Sequence, residues 1–187
     1  MEGFLVATGL VALAEIGDKT QLLAFVLAVR FRRPVPIVAG ILVATLANHG
    51  VAAGFGVWLA ALVPPDALRW LLGLSFIAMA AWVLVPDELE ANGPQAASRG
   101  AFAATVVAFF LAEMGDKTQV ATVALAAEYI EIVPVLAGTT LGMMIANVPA
   151  VYLGERCSHR VPMKLMRGAA AASFVLFGVA VLLGAGS

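Results

Sequence analysis

Charged residues, cysteine and histidine are all scarce in this chain of 187 residues. Charged residues make up 12% of it and hydrophobic residues 62%, whereas an ordinary soluble domain is about a quarter charged and about half apolar. A soluble domain of this size could not bury so much apolar surface, so that class of protein is excluded. The single cysteine, Cys157, excludes an intramolecular disulfide. The two histidines, His49 and His159, stand apart in the sequence and indicate no zinc site.

The apolar residues lie in long runs, and the mean hydropathy of the chain is +0.98. A helix needs about 20 mostly apolar residues to cross the hydrocarbon core of a bilayer. The first run has no positively charged region before it and is longer than a signal peptide, so we expect it to be a retained span. The runs predict an all-α membrane protein with six transmembrane helices, namely Phe4–Val29, Val35–Leu62, Ala67–Val85, Gly100–Ala127, Ile132–Gly154 and Met163–Leu183.

The second half of the chain repeats the first. The run Leu13–Gln21 recurs as Leu111–Gln119 with one difference, 98 positions later. The pair Val35-Pro36 recurs as Val133-Pro134 at the same offset. Such a match predicts a duplicated three-helix unit. The first repeat is expected at 1–90, a linker at 91–98 and the second repeat at 99–187.

The charges in the turns predict how the two repeats are oriented. A unit with three spans must enter the membrane in the opposite direction when it is repeated, which gives an inverted repeat. The turn after the first span carries Arg30, Arg32 and Arg33, and the matching turn carries Glu128 and Glu131. Cytoplasmic loops collect Lys and Arg, so we expect the first turn inside a bacterial inner membrane and both termini outside. The inner side would also hold Arg99, Arg156, Arg160, Lys164 and Arg167, and the outer side Arg69 alone.

Each repeat carries ionisable residues in the middle of an apolar run. Glu15 lies about a dozen residues into its run, which at 1.5 Å per residue is roughly 18 Å and near the bilayer midplane. Asp18 and Gln21 follow at the spacing that places all three on one face of a continuous helix. Ionised groups at this depth are costly unless they face a cavity, an ion or each other. The meeting point of two inverted repeats is the usual place for a transporter's substrate site. The counterparts in the second repeat are Glu113, Asp116 and Gln119.

The donor atoms of this motif indicate the kind of cation. Carboxylate and amide oxygens suit Mg²⁺, Ca²⁺ or Mn²⁺ rather than Cu⁺ or Zn²⁺. Lys19 and Lys117 cannot be ligands, but they can balance the carboxylates when no metal is present. Thr20 and Thr118 either bond back to the helix or offer a further oxygen, and the sequence leaves both open. The alternative is that the acids only hold helices together, with each glutamate paired to the lysine four residues later, which leaves both aspartates unexplained.

Two asparagines are expected to line the same site. Asn48 in the second span and Asn147 in the fifth both lie mid-membrane, and each is followed two residues later by a helix breaker, Gly50 or Pro149. Matching Gly/Pro interruptions in both halves indicate a transporter binding site. A plain amide bridge between two helices is the alternative. His49 could relay protons, but a single helical histidine is more often simply packed.

The doubled motif Glu-hydrophobic-Gly-Asp-Lys-Thr resembles that of uncharacterised protein family 16. Both copies, Glu15–Thr20 and Glu113–Thr118, are intact, and the resemblance covers essentially the whole chain. That family includes the Golgi manganese/calcium transporters of eukaryotes and bacterial manganese exporters, and it belongs to the wider lysine-exporter superfamily. The resemblance implies export of Mn²⁺, and in some members Ca²⁺, by exchange with protons, with the motif acids as the cation site. The long central loop of many eukaryotic members is absent here, so regulation by it is not expected.

The buried acids are compatible with more than one class of function. The first is a divalent-cation transporter, for which Mn²⁺ or Ca²⁺ is the transported substrate and no cofactor is needed. The second is a passive cation channel or a cation sensor that uses the same acids. The third, an intramembrane enzyme, is disfavoured because no serine lies near His49 and because Glu15 replaces the first glycine of the aspartyl-protease pattern Gly-x-Gly-Asp. The expected partners are a divalent cation, protons and the lipid bilayer. No nucleic acid is expected, and nothing in the sequence indicates an oligomer.

Overall fold

A computed structural model describes residues 1–85, 100–153 and 163–184, and within these ranges the chain forms helices and no strands. The all-α fold class is therefore confirmed for this part of the chain. The predicted linker 91–98 and the basic residues Arg99, Arg156 and Arg160 lie outside the described residues. The helices are α1 (Glu2–Glu15), α2 (Lys19–Phe31), α3 (Pro34–Leu62), α4 (Pro65–Val83), α5 (Ala101–Glu113), α6 (Lys117–Tyr129), α7 (Ile132–Leu153) and α8 (Met163–Leu182).

The ends of the helices repeat with the sequence. Helix α6 starts and ends 98 positions after α2, and α5 ends 98 positions after α1. After α2, Arg32 adopts the left-handed conformation with φ 52°, and after α6, Ile130 does so with φ 53°. The N–H of each donates to a carbonyl four residues earlier, which closes the helix end. The duplication is thus visible in the backbone as well as in the residues.

The first and fourth predicted spans are not continuous helices. Each is broken directly after its glutamate, so that α1 ends at Glu15 and α5 at Glu113. Within the breaks, Gly17 has φ 85° and Gly115 has φ 76°, a conformation that only glycine adopts without strain. The prediction that Glu15, Asp18 and Gln21 share one face of a single helix is therefore wrong, because one helix ends at Glu15 and the next begins only after Asp18.

Hydrogen bonds from the chain itself stabilise both breaks. In the first, the Asp18 N–H donates to the Glu15 carbonyl at 3.1 Å, and the Gly17 N–H donates to Gln21 Oε1 at 3.1 Å. In the second break the corresponding distances are 3.1 Å and 2.7 Å. Backbone groups inside a membrane need such partners because no bulk water is available to them.

The interruptions predicted at Gly50 and Pro149 are not present. Helix α3 continues through Gly50, and α7 continues through Pro149. A single glycine costs a helix only about 1 kcal/mol. Transmembrane helices also tolerate proline when neighbouring groups take up the freed carbonyl. The prediction of interruptions at Gly50 and Pro149 is therefore wrong, and the helix breaks lie in the motif itself.

Within the described residues, three helices, α3, α4 and α7, are long and apolar enough to cross a membrane by length and composition. Helices α1, α2, α5 and α6 have only 13 or 14 residues each, which is short of the roughly 20 that a span requires. Each broken segment reaches that length only when its two helices are added together.

Helices α3 and α7 each pack against the broken segment of the other half, whereas α4 packs mainly against α8. Helix α7 runs along α1 and also contacts α2, while α3 packs on α5 and α6. Glycines allow the approach of α7 to α1. A Cβ atom at Gly138 would lie 2.9 Å from Ala7 Cβ, and one at Gly142 would lie 2.9 Å from the Thr8 carbonyl oxygen. This exchange of partners brings the two helix breaks together inside the bundle.

Candidate cation-binding site

Three buried carboxylates converge where the two breaks meet. One carboxylate oxygen from each of Glu15, Glu113 and Asp116 lies within 4.8 Å of the other two. Both glutamates are fully buried, and Asp116 is 3% exposed. Glu15 comes from the first half of the chain and the other two from the second. Donor atoms this close can share one metal ion.

The two lysines of the motif pair across the halves. Lys19 Nζ lies 2.8 Å from Asp116 Oδ1, and Lys117 Nζ is paired with Asp18 Oδ1. Both aspartates therefore have partners in the opposite half, which pairs confined to each helix would not provide. The crossed ion pairs hold the two breaks against each other, as buried charges require partners.

The threonines of the motif turn toward the glutamates. Thr20 Oγ1 donates to Glu15 Oε2 at 2.6 Å, and Thr118 Oγ1 donates to Glu113 Oε2 at 3.2 Å. The sequence left the threonines open between helix back-bonding and a role in the site, and the structure places both hydroxyls on the carboxylates. Each hydroxyl uses one lone pair of one glutamate oxygen, so that oxygen keeps a further lone pair for an ion, and the other oxygen is left to the site as well.

The glutamines lie at the breaks and use both ends of their amides. Besides accepting from Gly17, Gln21 donates through Nε2 to the Ala146 carbonyl at 2.9 Å. Gln119 accepts from the backbone of its own break and donates through Nε2 to Asn48 Oδ1. Both side chains thereby connect a break to the long helix that packs against it.

The two asparagines differ in what they offer. Asn48 Oδ1 accepts from Gln119, and its Nδ2 donates to the Phe110 carbonyl at 3.4 Å. Asn147 donates through Nδ2 to the Met143 carbonyl at 3.1 Å. Its Oδ1 is buried and has no hydrogen-bond partner among the described residues. Of the two amides, Asn147 is thus the one with an oxygen ready to accept.

Three buried oxygens share this property. Glu15 Oε1, Glu113 Oε1 and Asn147 Oδ1 are all enclosed, and within the described part of the chain none receives a hydrogen bond. Buried polar atoms in proteins are nearly always hydrogen-bonded, because an unsatisfied one costs about 1–3 kcal/mol. Oxygens of this kind are suited to accept a cation or, in the carboxyl groups, a proton.

Comparison with known proteins establishes the family. The chain matches the family described as Divalent cation/proton antiporter GDT1 over residues 3–91 and 101–187. The chain belongs to this antiporter family. It is also 50% identical over 171 residues to a protein of Vibrio cholerae serotype O1 named "Putative manganese exporter", an alignment that covers 91% of this chain and 85% of that protein. No solved structure matches the chain.

Membership in the antiporter family confirms the resemblance that the doubled motif indicated. Together with the apolar helices, it makes this chain an integral membrane protein that transports divalent cations. The intramembrane enzyme considered from the sequence is not the function of such a family.

One buried residue near the motif, His49, was not predicted from the sequence to belong to the site. His49 follows Asn48 on α3, and its side chain is fully buried. Its Nε2 lies 3.9 Å from Glu113 Oε2, too far for a hydrogen bond. From the sequence, His49 could relay protons, but simple packing was the favoured interpretation. The signal that pointed to the site was its position next to Asn48, but only the packing of α3 on α5 shows which carboxylate it faces.

Proposed function

We propose that this chain exports Mn²⁺ across a bacterial inner membrane in exchange for protons. The observation that carries the proposal is the meeting of Glu15, Glu113 and Asp116 at two helix breaks. One oxygen of each glutamate receives no hydrogen bond from the described residues. Hard oxygen donors suit Mn²⁺ and Ca²⁺ alike. The name of the Vibrio cholerae relative favours Mn²⁺.

The proposed ligands are the three carboxylates and Asn147 Oδ1. Asp18 and Asn48 are assigned to the edge of the site, because Asp18 is not among the three carboxylates that converge and Asn48 Oδ1 accepts from Gln119. Lys19 and Lys117 balance charge rather than bind metal. Gln21 and Gln119, which the sequence suggested as ligands, are assigned instead to holding the breaks.

The proposed topology is six spans arranged as two inverted repeats. Helices α1 and α2 together form one broken span, and α5 and α6 form its counterpart. Substrate sites built from discontinuous helices at a repeat interface are a recurring plan in secondary transporters, and rocking of one repeat against the other gives alternating access. Repeated helix ends and exchanged packing partners support this arrangement.

Cysteine labelling tests the topology. In a Cys157→Ser background, Arg32→Cys is expected to react with an impermeant thiol reagent only from the cytoplasmic side, and Glu131→Cys only from the outside, because the two turns lie in oppositely inserted repeats. Both positions are exposed. The measurement is labelling of intact cells against inside-out vesicles. Reaction of both cysteines from one side would rule out the inverted repeat.

Proton movement in proteoliposomes tests the function. Addition of Mn²⁺ to vesicles that hold the purified protein and a pH-sensitive dye is expected to drive saturable proton movement in the opposite direction. Ca²⁺ and Mg²⁺ are compared in the same vesicles. A channel would instead pass Mn²⁺ without saturation and without proton movement, and a sensor would pass nothing, so either result would replace the antiporter proposal.

A further inference from the structure

We propose that His49 supplies a nitrogen ligand to the cation beside Glu113 and so favours Mn²⁺ and related transition metals over Ca²⁺ and Mg²⁺. This inference rests on the proposed cation site. It adds a donor of a different chemical kind to a set that otherwise contains only oxygens.

The geometry fits a shared ion better than a hydrogen bond. His49 Nε2 and Glu113 Oε2 are 3.9 Å apart, beyond hydrogen-bond range. Two ligands that bind one transition metal at roughly 2.0–2.2 Å each lie about 3–4 Å from one another. Both ring nitrogens of His49 are buried, and neither has a hydrogen-bond partner among the described residues. In a buried imidazole both nitrogens normally have hydrogen-bond partners, so a ring without them has a nitrogen available to bind a metal ion.

The imidazole borders the three-carboxylate group through Glu113. It lies on α3, which packs against α5 and α6, the two helices that carry Glu113 and Asp116 at the break between them. The three carboxylates and Asn147 remain the principal donors. The histidine adds one coordination position on the Glu113 side.

Nitrogen changes the selectivity of such a site. Ca²⁺ and Mg²⁺ take oxygen ligands almost exclusively, whereas Mn²⁺, although it also prefers oxygen, accepts a histidine nitrogen beside carboxylates. Carboxylates combined with histidine are the donor set of the di-iron and di-manganese carboxylate proteins. An all-oxygen site would hold Mn²⁺ and Ca²⁺ more evenly.

The duplication gives the two halves different donors at one matched position. At the 98-residue offset of the repeat, the counterpart of His49 is Asn147, and that of Asn48 is Ala146. The hydrogen bonds of the two motif glutamines follow the same register, because one reaches Asn48 and the other the Ala146 carbonyl. His49 and Asn147 are both buried, and both carry polar atoms without a hydrogen-bond partner among the described residues. The first half thus offers a nitrogen at the place where the second half offers an oxygen.

Isotope labelling with magnetic resonance tests the bond directly. The chain has two histidines, so His159→Gln protein grown on ¹⁵N-histidine carries the label at His49 alone. Mn²⁺ bound to this protein is expected to show ¹⁵N hyperfine coupling of a directly bonded imidazole. The matched control, with both His49→Gln and His159→Gln, is expected to bind Mn²⁺ without that coupling.

Transport supplies the second readout. Because the imidazole is proposed to bind Mn²⁺ and not Ca²⁺, His49→Gln is expected to lower kcat/KM for Mn²⁺. A loss of roughly tenfold is expected, which is the lower end of the losses seen when residues around a bound metal are changed. The value for Ca²⁺ should stay within about twofold, and His159→Gln should change neither. Equal losses for both ions would overturn the selectivity role.

The outcomes separate this inference from the proposed function. Saturable Mn²⁺ binding with ¹⁵N coupling supports both. Saturable binding without coupling refutes the histidine ligand and leaves the carboxylate site intact. Absence of saturable Mn²⁺ binding in the His159→Gln protein and the parent chain refutes the cation site and the histidine ligand together. The labelled measurement needs no change at His49, so a folding defect in His49→Gln cannot obscure it.

Discussion

Replacing Glu15 or Glu113 by glutamine is expected to abolish Mn²⁺ transport, with a loss of roughly two orders of magnitude or more. Glutamine keeps the size of the side chain and can still accept from Thr20 or Thr118. It removes one negative charge from a fully buried site. A bound divalent cation would then leave a net positive charge in the membrane interior, which is costly. The measurement is initial Mn²⁺ flux in proteoliposomes with matched protein content.

A control for this substitution exists on the same helix. Glu2 lies at the other end of α1 and is exposed, so Glu2→Gln makes the same chemical change away from the site and should transport normally. Protein amount in the membrane and elution as a single species in detergent would show that all variants insert and fold. Normal transport by Glu15→Gln would mean that the glutamates only hold the helices together.

The repeat and the fold class could be predicted from the sequence because both depend on residue identity and composition. The helix breaks could not. Spacing of Glu15, Asp18 and Gln21 suits one helix face, and apolar residues on both sides gave no local reason for a turn. A signal was present in Gly17-Asp18, since glycine is common just past a helix end and aspartate at a helix start. It was outweighed by the expectation of one uninterrupted span.

The sequence named the three carboxylates that converge, Glu15, Glu113 and Asp116, but not the contacts between them. Their burial could be predicted because they lie in the middle of apolar runs. The crossed pairing of Lys19 with Asp116 depends on how the halves pack, which no local pattern contains. The glutamine roles were missed for a related reason, because the backbone groups that Gln21 and Gln119 satisfy become free only when the helix breaks.

The coupling of Mn²⁺ movement to protons is expected to follow from the charges of the buried site. The crossed ion pairs neutralise Asp18 and Asp116, so the two glutamates leave the site with a formal charge of −2. One divalent cation neutralises that charge, and so do two protons. The cation-loaded and protonated states can both pass through an occluded intermediate without a bare charge in lipid, while the empty ionised state cannot. Exchange of one M²⁺ for about two H⁺ is then expected to be obligatory and electrically neutral.

Net uphill movement of Mn²⁺ is therefore expected to disappear when the pH gradient is collapsed, whatever the membrane potential. The experiment measures Mn²⁺ accumulation in proteoliposomes with nigericin to remove the pH gradient, or with valinomycin and set K⁺ concentrations to impose a potential. Because two positive charges cross in each direction, imposing a potential of either sign should leave the rate nearly unchanged. Glu2→Gln protein should behave as the parent chain does. Accumulation driven by potential alone would contradict neutral exchange even if Glu15, Glu113 and Asp116 bind the ion as proposed, since it would require that the site return empty and charged.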